Sequence, residues 1–312
     1  MTVEHVAGCD MGVPVRAGDQ AKKIILIEAT RVGAGRYEIE PGGRNERLTK
    51  SAGRVGWYAR RRGWTITDLR DTLISDPPLV ATGLDFPFSI PLSLLQSKRF
   101  AEMVGHGHAF QTRSAWSHFV ANQLELGFAT ENASAQLKLG SLVHWRDKNH
   151  WSLRETDAAT NAQPPLKHLF QCLFNMTVVG AALLHHVEAA GSNLMLLPLS
   201  PSAANEPRTL FETYPGQIAR SVGFGGNYKK DPLGAMNAAR TYLRERGIRV
   251  TEDENIRQFC EEYRTGDDDP DGADAFLCLV AAIAWRENIW QAHDRNASDT
   301  ILQQEGCIVT PA

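Results

Sequence analysis

Apolar and polar positions alternate with a period near two through the first forty residues, the signature of half-buried strands. "HVAGCDMGVP", "KKIILIEATRVG" and "RYEIEPGG" read as three successive strands, and the Gly-containing and polar stretches between them suit antiparallel connections. From Asn45 to Gly63 the period lengthens to that of a helix. Leu48, Ser51, Val55 and Tyr58 share one face, and Gly63 ends it. Pro77-Pro78 then introduces "LVATGLDFPFSIP", a strand that Pro87 and Pro91 prevent from extending. A strand reached through a helical crossover runs parallel to a neighbour, so this order predicts a mixed α/β sheet with helices packed against it.

Residues 92 to about 190 read as mainly helical with long polar loops, an insertion or cap. "NLMLLPLS" and "RTLFETYPG" resume the sheet pattern, and Pro215-Gly216 ends the second. A helical tail follows: "DPLGAMNAARTYLRERG", "DENIRQFCEEY" and "DPDGADAFLCLVAAIAWRENIW". The expected organisation is a core in two parts, 1–91 and 191–312, divided by the helical segment 92–190.

At 312 residues, with 43% hydrophobic and 22% charged positions, the chain has the composition of an ordinary globular enzyme. A net charge of −3 gives no global attraction for nucleic acid, so any polyanion site has to be a local patch. "MTVEHVAGCDMG" lacks the basic start and apolar core of a signal peptide, and the longest apolar run, Ala275 to Trp285, is too short for a bilayer. These features point to a cytoplasmic protein with no membrane partner. The five cysteines are odd in number and contain no CxxC, which predicts reduced, mostly buried thiols.

Acidic residues stand where regular structure begins or ends. Asp10 lies in "GCDMG", Asp85 closes an apolar run, Glu212 lies in "LFETYP", and Asp271 and Asp274 open the helix "DGADAFLCLVAAIAW". Carboxylates brought together from separate elements repel one another unless a hard cation lies between them, and Mg²⁺ or Mn²⁺ prefers such oxygen ligands. Each acid also has a plain structural alternative. Asp10 can be a turn aspartate beside Gly12, and Glu212 can pair with a buried arginine. Asp269-Pro270-Asp271 fits N-cap, N1 and N2 of a helix, whereas Asp274 lies a turn further in, where capping explains it poorly.

A basic cluster, Arg44, Arg47, Lys50, Arg54, Arg60, Arg61 and Arg62, faces a single acid, Glu46. Arg47, Lys50, Arg54 and Arg61 share a helical face that can track a phosphate backbone, or can simply be a solvated face. Trp145 and Trp151 in "HWRDKNHW" can stack on bases or pack a loop. His106 and His108 lack acidic or cysteine partners at ligand spacing, and His185-His186 suits the end of an apolar helix.

"GCDMG", "GLDFPFSIP", "FETYPGQIAR" and "DPDGADAFLCLVAAIA" together resemble the successive motifs of domain-of-unknown-function family 429, a predicted ribonuclease H-like nuclease family. The first and last are also similar to the bacterial Holliday-junction resolvase. The resemblance implies a ribonuclease H-like mixed five-stranded sheet, three antiparallel strands then parallel ones, with an acidic metal cluster at one end. It makes Asp10 the central metal-bridging acid, Asp85 the second-strand acid, Glu212 the Glu of a Glu-x-x-Pro motif, and Asp274, with Asp271, the acids of the last helix. Asp85 stands where the resolvase has a Glu. The implied activity is two-metal phosphodiester hydrolysis of nucleic acid, with the ions about 4 Å apart. Two other classes fit the residues: an ATPase or phosphotransferase of the actin-like group, using "GFGGN" (Gly223 to Asn227) as a second phosphate loop, and a non-catalytic nucleic-acid-binding or regulatory protein.

Overall fold

The computed structural model describes residues 3–12, 23–49, 64–123, 153–162, 165, 173–190, 194–197, 208–264, 269–292, 301, 304–305 and 308–311. Strands β1 (Glu4–Met11), β2 (Ile24–Gly33) and β3 (Arg36–Ile39) pair antiparallel in succession, as their alternation predicts. β4 (Leu79–Asp85) lies on the free side of β1 and runs parallel to it. β5 (Leu194–Leu197) and β6 (Arg208–Glu212) extend the parallel part, with β6 against β4 and β5 outermost.

The sheet has seven strands rather than five, in the order β5-β6-β4-β1-β2-β3-β7. The strand the pattern does not reveal is β7 (Arg249–Glu252), which pairs parallel with β3 at the far edge. Its sequence, RVTE, alternates exposed and half-buried positions over four residues and contains no apolar run. A small second sheet joins β8 (Trp290–Ala292) to β9 (Val309–Pro311), each too short to show a period.

Helices cover both faces, the arrangement a mostly parallel sheet requires. The described helices in chain order are α1 (Glu46–Thr49), α2 (Ile66–Ile74), α3 (Leu92–Leu95), α4 (Lys98–Met103), α5 (Arg113–Gln123), α6 (Glu155–Thr160), α7 (Leu173–Ala189), α8 (Pro215–Ser221), α9 (Pro232–Glu245), α10 (Glu254–Glu262) and α11 (Asp271–Arg286). Only Glu46–Thr49 of the expected 45–63 helix is described; Lys50, Arg54 and Arg61 lie outside the described residues. α2, unread in the sequence, starts at a capping box in which Thr65 and Asp68 each satisfy the other's backbone N–H.

The two faces are two cores. Ala7, Cys9, Met11, Leu84 and Leu210 face one side and pack with Trp116, Val120, Val178, Leu183 and the Phe86–Phe88–Ile90 turn. Helices α3, α4, α5 and α7, between residues 92 and 190, thus pack on this face of the sheet. Val6, Ile25, Ile27, Ala81 and Phe211 face the other side and pack with α8 to α11. α11 is apolar nearly all round and buried from Asp271 to Ala284, which suits a helix enclosed by sheet and neighbouring helices. No helix of the described residues is long and apolar enough to cross a membrane. Cys9, Cys260 and Cys278 are buried free thiols, as expected; Cys172 and Cys307 lie outside the described residues.

Candidate metal centre

β1, β4 and β6 run in one direction, so their carboxyl ends share one edge of the sheet, the edge where open α/β sheets bind ligands. Asp10 and Asp85 are register partners there. In-register residues on neighbouring strands point to the same face, with backbones about 4.8 Å apart. Asp10 is thus a strand residue, and the turn alternative does not hold.

What brings the helical acids alongside is a pair of glycines. Gly8 and Gly83 are also register partners, two residues before the aspartates and on the same face. A Cβ on Gly8 would collide with the backbone of Ala275, Cys278 and Leu279, and one on Gly83 would lie 2.7 Å from the Cys278 carbonyl oxygen. Without side chains at these positions, α11 lies directly on the sheet. Its first turn, carrying Asp271 and Asp274, then reaches the edge where Asp10 and Asp85 emerge. The helix begins one residue later than the sequence suggests: Pro270 is the N-cap and makes no side-chain cap bond, so Asp269 is not the cap. Both acids sit where the helix dipole favours negative charge.

Asp10, Asp85, Asp271 and Asp274 line one cavity of about 360 Å³, together with Asp269, Tyr214, Tyr228, Lys229, Lys23 and Glu212. Asp10, Asp271 and Asp274 are buried. Burial, followed by the charges of Asp271, Asp274 and Asp85, holds the Asp10 carboxyl well above the usual carboxylate range, and Lys229 opposes this. Asp274 is raised in the same way, by burial and then by Asp85. Burial pushes Asp85 up to about 7, with Lys229 working against the rise. Tyr228 and Tyr214 are also raised, chiefly by burial, so both remain hydroxyl donors at neutral pH.

Glu212 lines the same cavity and its charge adds to the rise of Asp85, but its own carboxylate is already taken. It is in register with Leu84, so it faces the opposite side of the sheet from Asp85. Arg154 takes both its oxygens, at 2.7 Å from Nη1 and 2.5 Å from Nη2, and the Phe88 N–H donates to it at 3.0 Å. Pairing with a buried arginine is therefore what the structure shows. Arg154 itself, 1% exposed, spends all five donors: two on Glu212, two on Asp157 and one on the Glu305 carbonyl.

The donor set suits a hard divalent cation. The clustered acidic groups are all carboxylates, and buried Asp274 Oδ1 has no hydrogen-bond partner among the described residues. Among those residues, however, no group of three or more His, Cys, Asp or Glu is arranged to hold a metal ion.

The remaining sequence candidates lie elsewhere or are occupied. Arg47 pairs with Asp68 at 3.2 Å and stacks over Trp64. Trp145 and Trp151 lie outside the described residues. His106 stacks on Phe110, and His185 meets His118 at the surface. "GFGGN" follows helix α8 rather than a strand. Sequence reasoning missed Lys229, Tyr228, Tyr214 and Arg154. The first three flank one another in "ETYPG" and "GGNYKKDP", where nothing in the spacing marks a site. No protein-family model, curated protein or solved structure matches this chain.

Proposed function

We propose that this protein is a Mg²⁺- or Mn²⁺-dependent hydrolase of phosphodiester bonds in nucleic acid, with a ribonuclease H-like core. The observation that carries the reading is the convergence of Asp10, Asp85, Asp271 and Asp274 on one cavity, with a buried Asp274 oxygen left unpartnered. The three antiparallel strands, followed by parallel strands added beyond β1, support the fold half of the proposal. The four motif islands support the kinship with family 429.

Asp10, Asp85 and Asp274, with Asp271 beside them, are the residues that would hold the ions. When bound, such ions supply acidification of water and neutralisation of charge at the phosphate. The chain's own contribution is pre-organisation. The paired glycines fix the helix against the strands, Asp10, Asp271 and Asp274 are buried, and the Tyr214 and Tyr228 hydroxyls remain protonated in the same cavity.

The test is Mn²⁺ titration by calorimetry, then cleavage assays on labelled single-stranded, duplex and branched DNA and RNA with Asp10→Asn as control. Binding and cleavage that both vanish in the variant support the proposal; cleavage unchanged in Asp10→Asn would sink it. A second reading, a non-catalytic nucleic-acid-binding or regulatory protein of the same fold, is favoured by Glu212, already saturated by Arg154. Wild-type protein that takes up no Mn²⁺ would select it.

A further inference from the structure

Four clustered carboxylates pose a problem for a substrate that is itself an anion. Two divalent ions balance the four charges, which leaves the single negative charge of a phosphodiester unmatched. One further cation at the cavity would match it.

Three described cations line the cavity: Arg154, Lys23 and Lys229. Arg154 has no donor left. Lys23 lies beside Gly12 at the end of β1. Lys229 differs in placement and in how it is held. It lines the same cavity as Asp10, Asp85 and Asp274, on a turn opposite the strand edge. Its ammonium meets Asp269 at a long 3.4 Å, in a pair whose side chains are 35% and 55% exposed. An exposed pair of that kind is worth little, so the ammonium is free to turn to a better partner.

The backbone beneath it is fixed. The Lys229 N–H donates to Asn227 Oδ1 at 3.1 Å, and the N–H groups of Lys230 and Asp231 donate to the Asn227 carbonyl at 3.0 Å. Asp231 then caps α9 through the Gly234 N–H. A tight turn anchored to a fourteen-residue helix thus presents a loosely held ammonium to a wall of carboxylates.

We infer that Lys229 contacts the substrate phosphate, so that the phosphodiester lies between the aspartate cluster and this ammonium. This rests on the metal-dependent reading above. It deepens that reading by naming the feature recognised, a phosphate monoanion next to the ions, without reference to base identity.

The experiment uses the full chain loaded with Mn²⁺, with thymidine 5′-monophosphate as probe and thymidine as its phosphate-free control. Lys229→Met and Lys229→Arg are compared with wild type by calorimetry. A charge-assisted hydrogen bond of this kind sets the scale: Lys229→Met should bind the monophosphate about tenfold more weakly and Lys229→Arg within about threefold of wild type, with thymidine unaffected. Mn²⁺ uptake by Lys229→Met should persist, which certifies its fold and ion site. Equal monophosphate affinity in wild type and Lys229→Met overturns the inference, as does a wild type that fails to distinguish the monophosphate from thymidine. Loss of Mn²⁺ uptake in Lys229→Met alone also overturns it, because the lysine would then be a support for the site. A wild type that binds no Mn²⁺ removes the reading of the site itself.

Discussion

Asp10 and Asp85 are register partners on adjacent parallel strands, and each follows a glycine, Gly8 or Gly83, that is register partner to the other. The two touching strands β1 and β4 thus each carry Gly-x-Asp, as "GCD" and "GLD". Period two places each glycine and its aspartate on the same face. The glycines admit the helix, and the aspartates meet that helix's own acids. One short pattern, used twice, builds half of the candidate site.

Adding a single methyl group at either glycine should therefore act on both stability and ion binding. Gly8→Ala drives Cβ into the backbone of α11, which cannot yield as a flexible side chain would. Overpacking of this kind costs about 1–3 kcal/mol or more. Urea unfolding should show a loss at or above that range, and any folded fraction should bind Mn²⁺ less tightly, because α11 is lifted from the strand edge. Wild-type stability in Gly8→Ala would mean that the helix does not rest on this strand.

The ion-free protein should lose stability as pH rises. Asp10 and Asp274 have folded pKa values well above their unfolded ones, and Asp85 is raised to about 7. For a carboxyl raised on folding, the stabilising preference is for the neutral form. It is fully present below the unfolded value near 4 and is lost as pH climbs through the folded value. In EDTA, the melting temperature should fall between pH 5 and pH 8, with Asp85 contributing near neutrality. Asp10→Asn should reduce this slope and melt higher than wild type at pH 8; a gain of about 1 kcal/mol corresponds to about 1.5 °C for a chain of 312 residues. A flat profile across the same interval would show that the carboxyls are neither desolvated nor in one another's field.

Much of this architecture is legible in the sequence, because strand alternation and the all-apolar last helix are strong periodic signals. Asp10, Asp85, Asp271 and Asp274 could be picked out as acids at the ends of such elements. Glu212 shows the limit of that reasoning. It too ends a strand, but its register with Leu84 turns it to the other face, and register depends on pairing that no single segment reveals. Arg154, its partner, sits 58 residues away in the helical segment. β7 is hidden because four half-exposed residues pair only when β3 is already present. Lys229 is hidden because a turn lysine is ordinary until the fold shows what it faces.

Arg154 should prove a stability residue of the first rank. Arg154→Met leaves Asp157 and Glu212 buried without their cation and frees the Glu305 carbonyl, and breaking a buried ion pair by removing one partner costs about 3–5 kcal/mol. Chemical denaturation measures this directly. The double variant Arg154→Met with Glu212→Gln should be less destabilised than the sum of the singles, since the neutral amide no longer needs the guanidinium. Strict additivity would mean that the two side chains do not act as a pair.

Divalent ion should reverse the effect of pH. If the aspartates hold Mn²⁺ only in the folded chain, ion at a hundredfold excess over Kd adds about 2.7 kcal/mol of stability. The gain should grow from pH 5 to pH 8, because the ion displaces the protons that burial keeps on Asp10, Asp85 and Asp274. Asp10→Asn, though more stable in EDTA, should gain little from Mn²⁺, so the order of melting temperatures for the two proteins inverts when ion is added. That inversion is a demanding outcome, since a variant that merely damaged the fold would melt lower in both conditions. A surface cation effect would raise both proteins equally, and an unchanged order would exclude the aspartates as the ion's ligands.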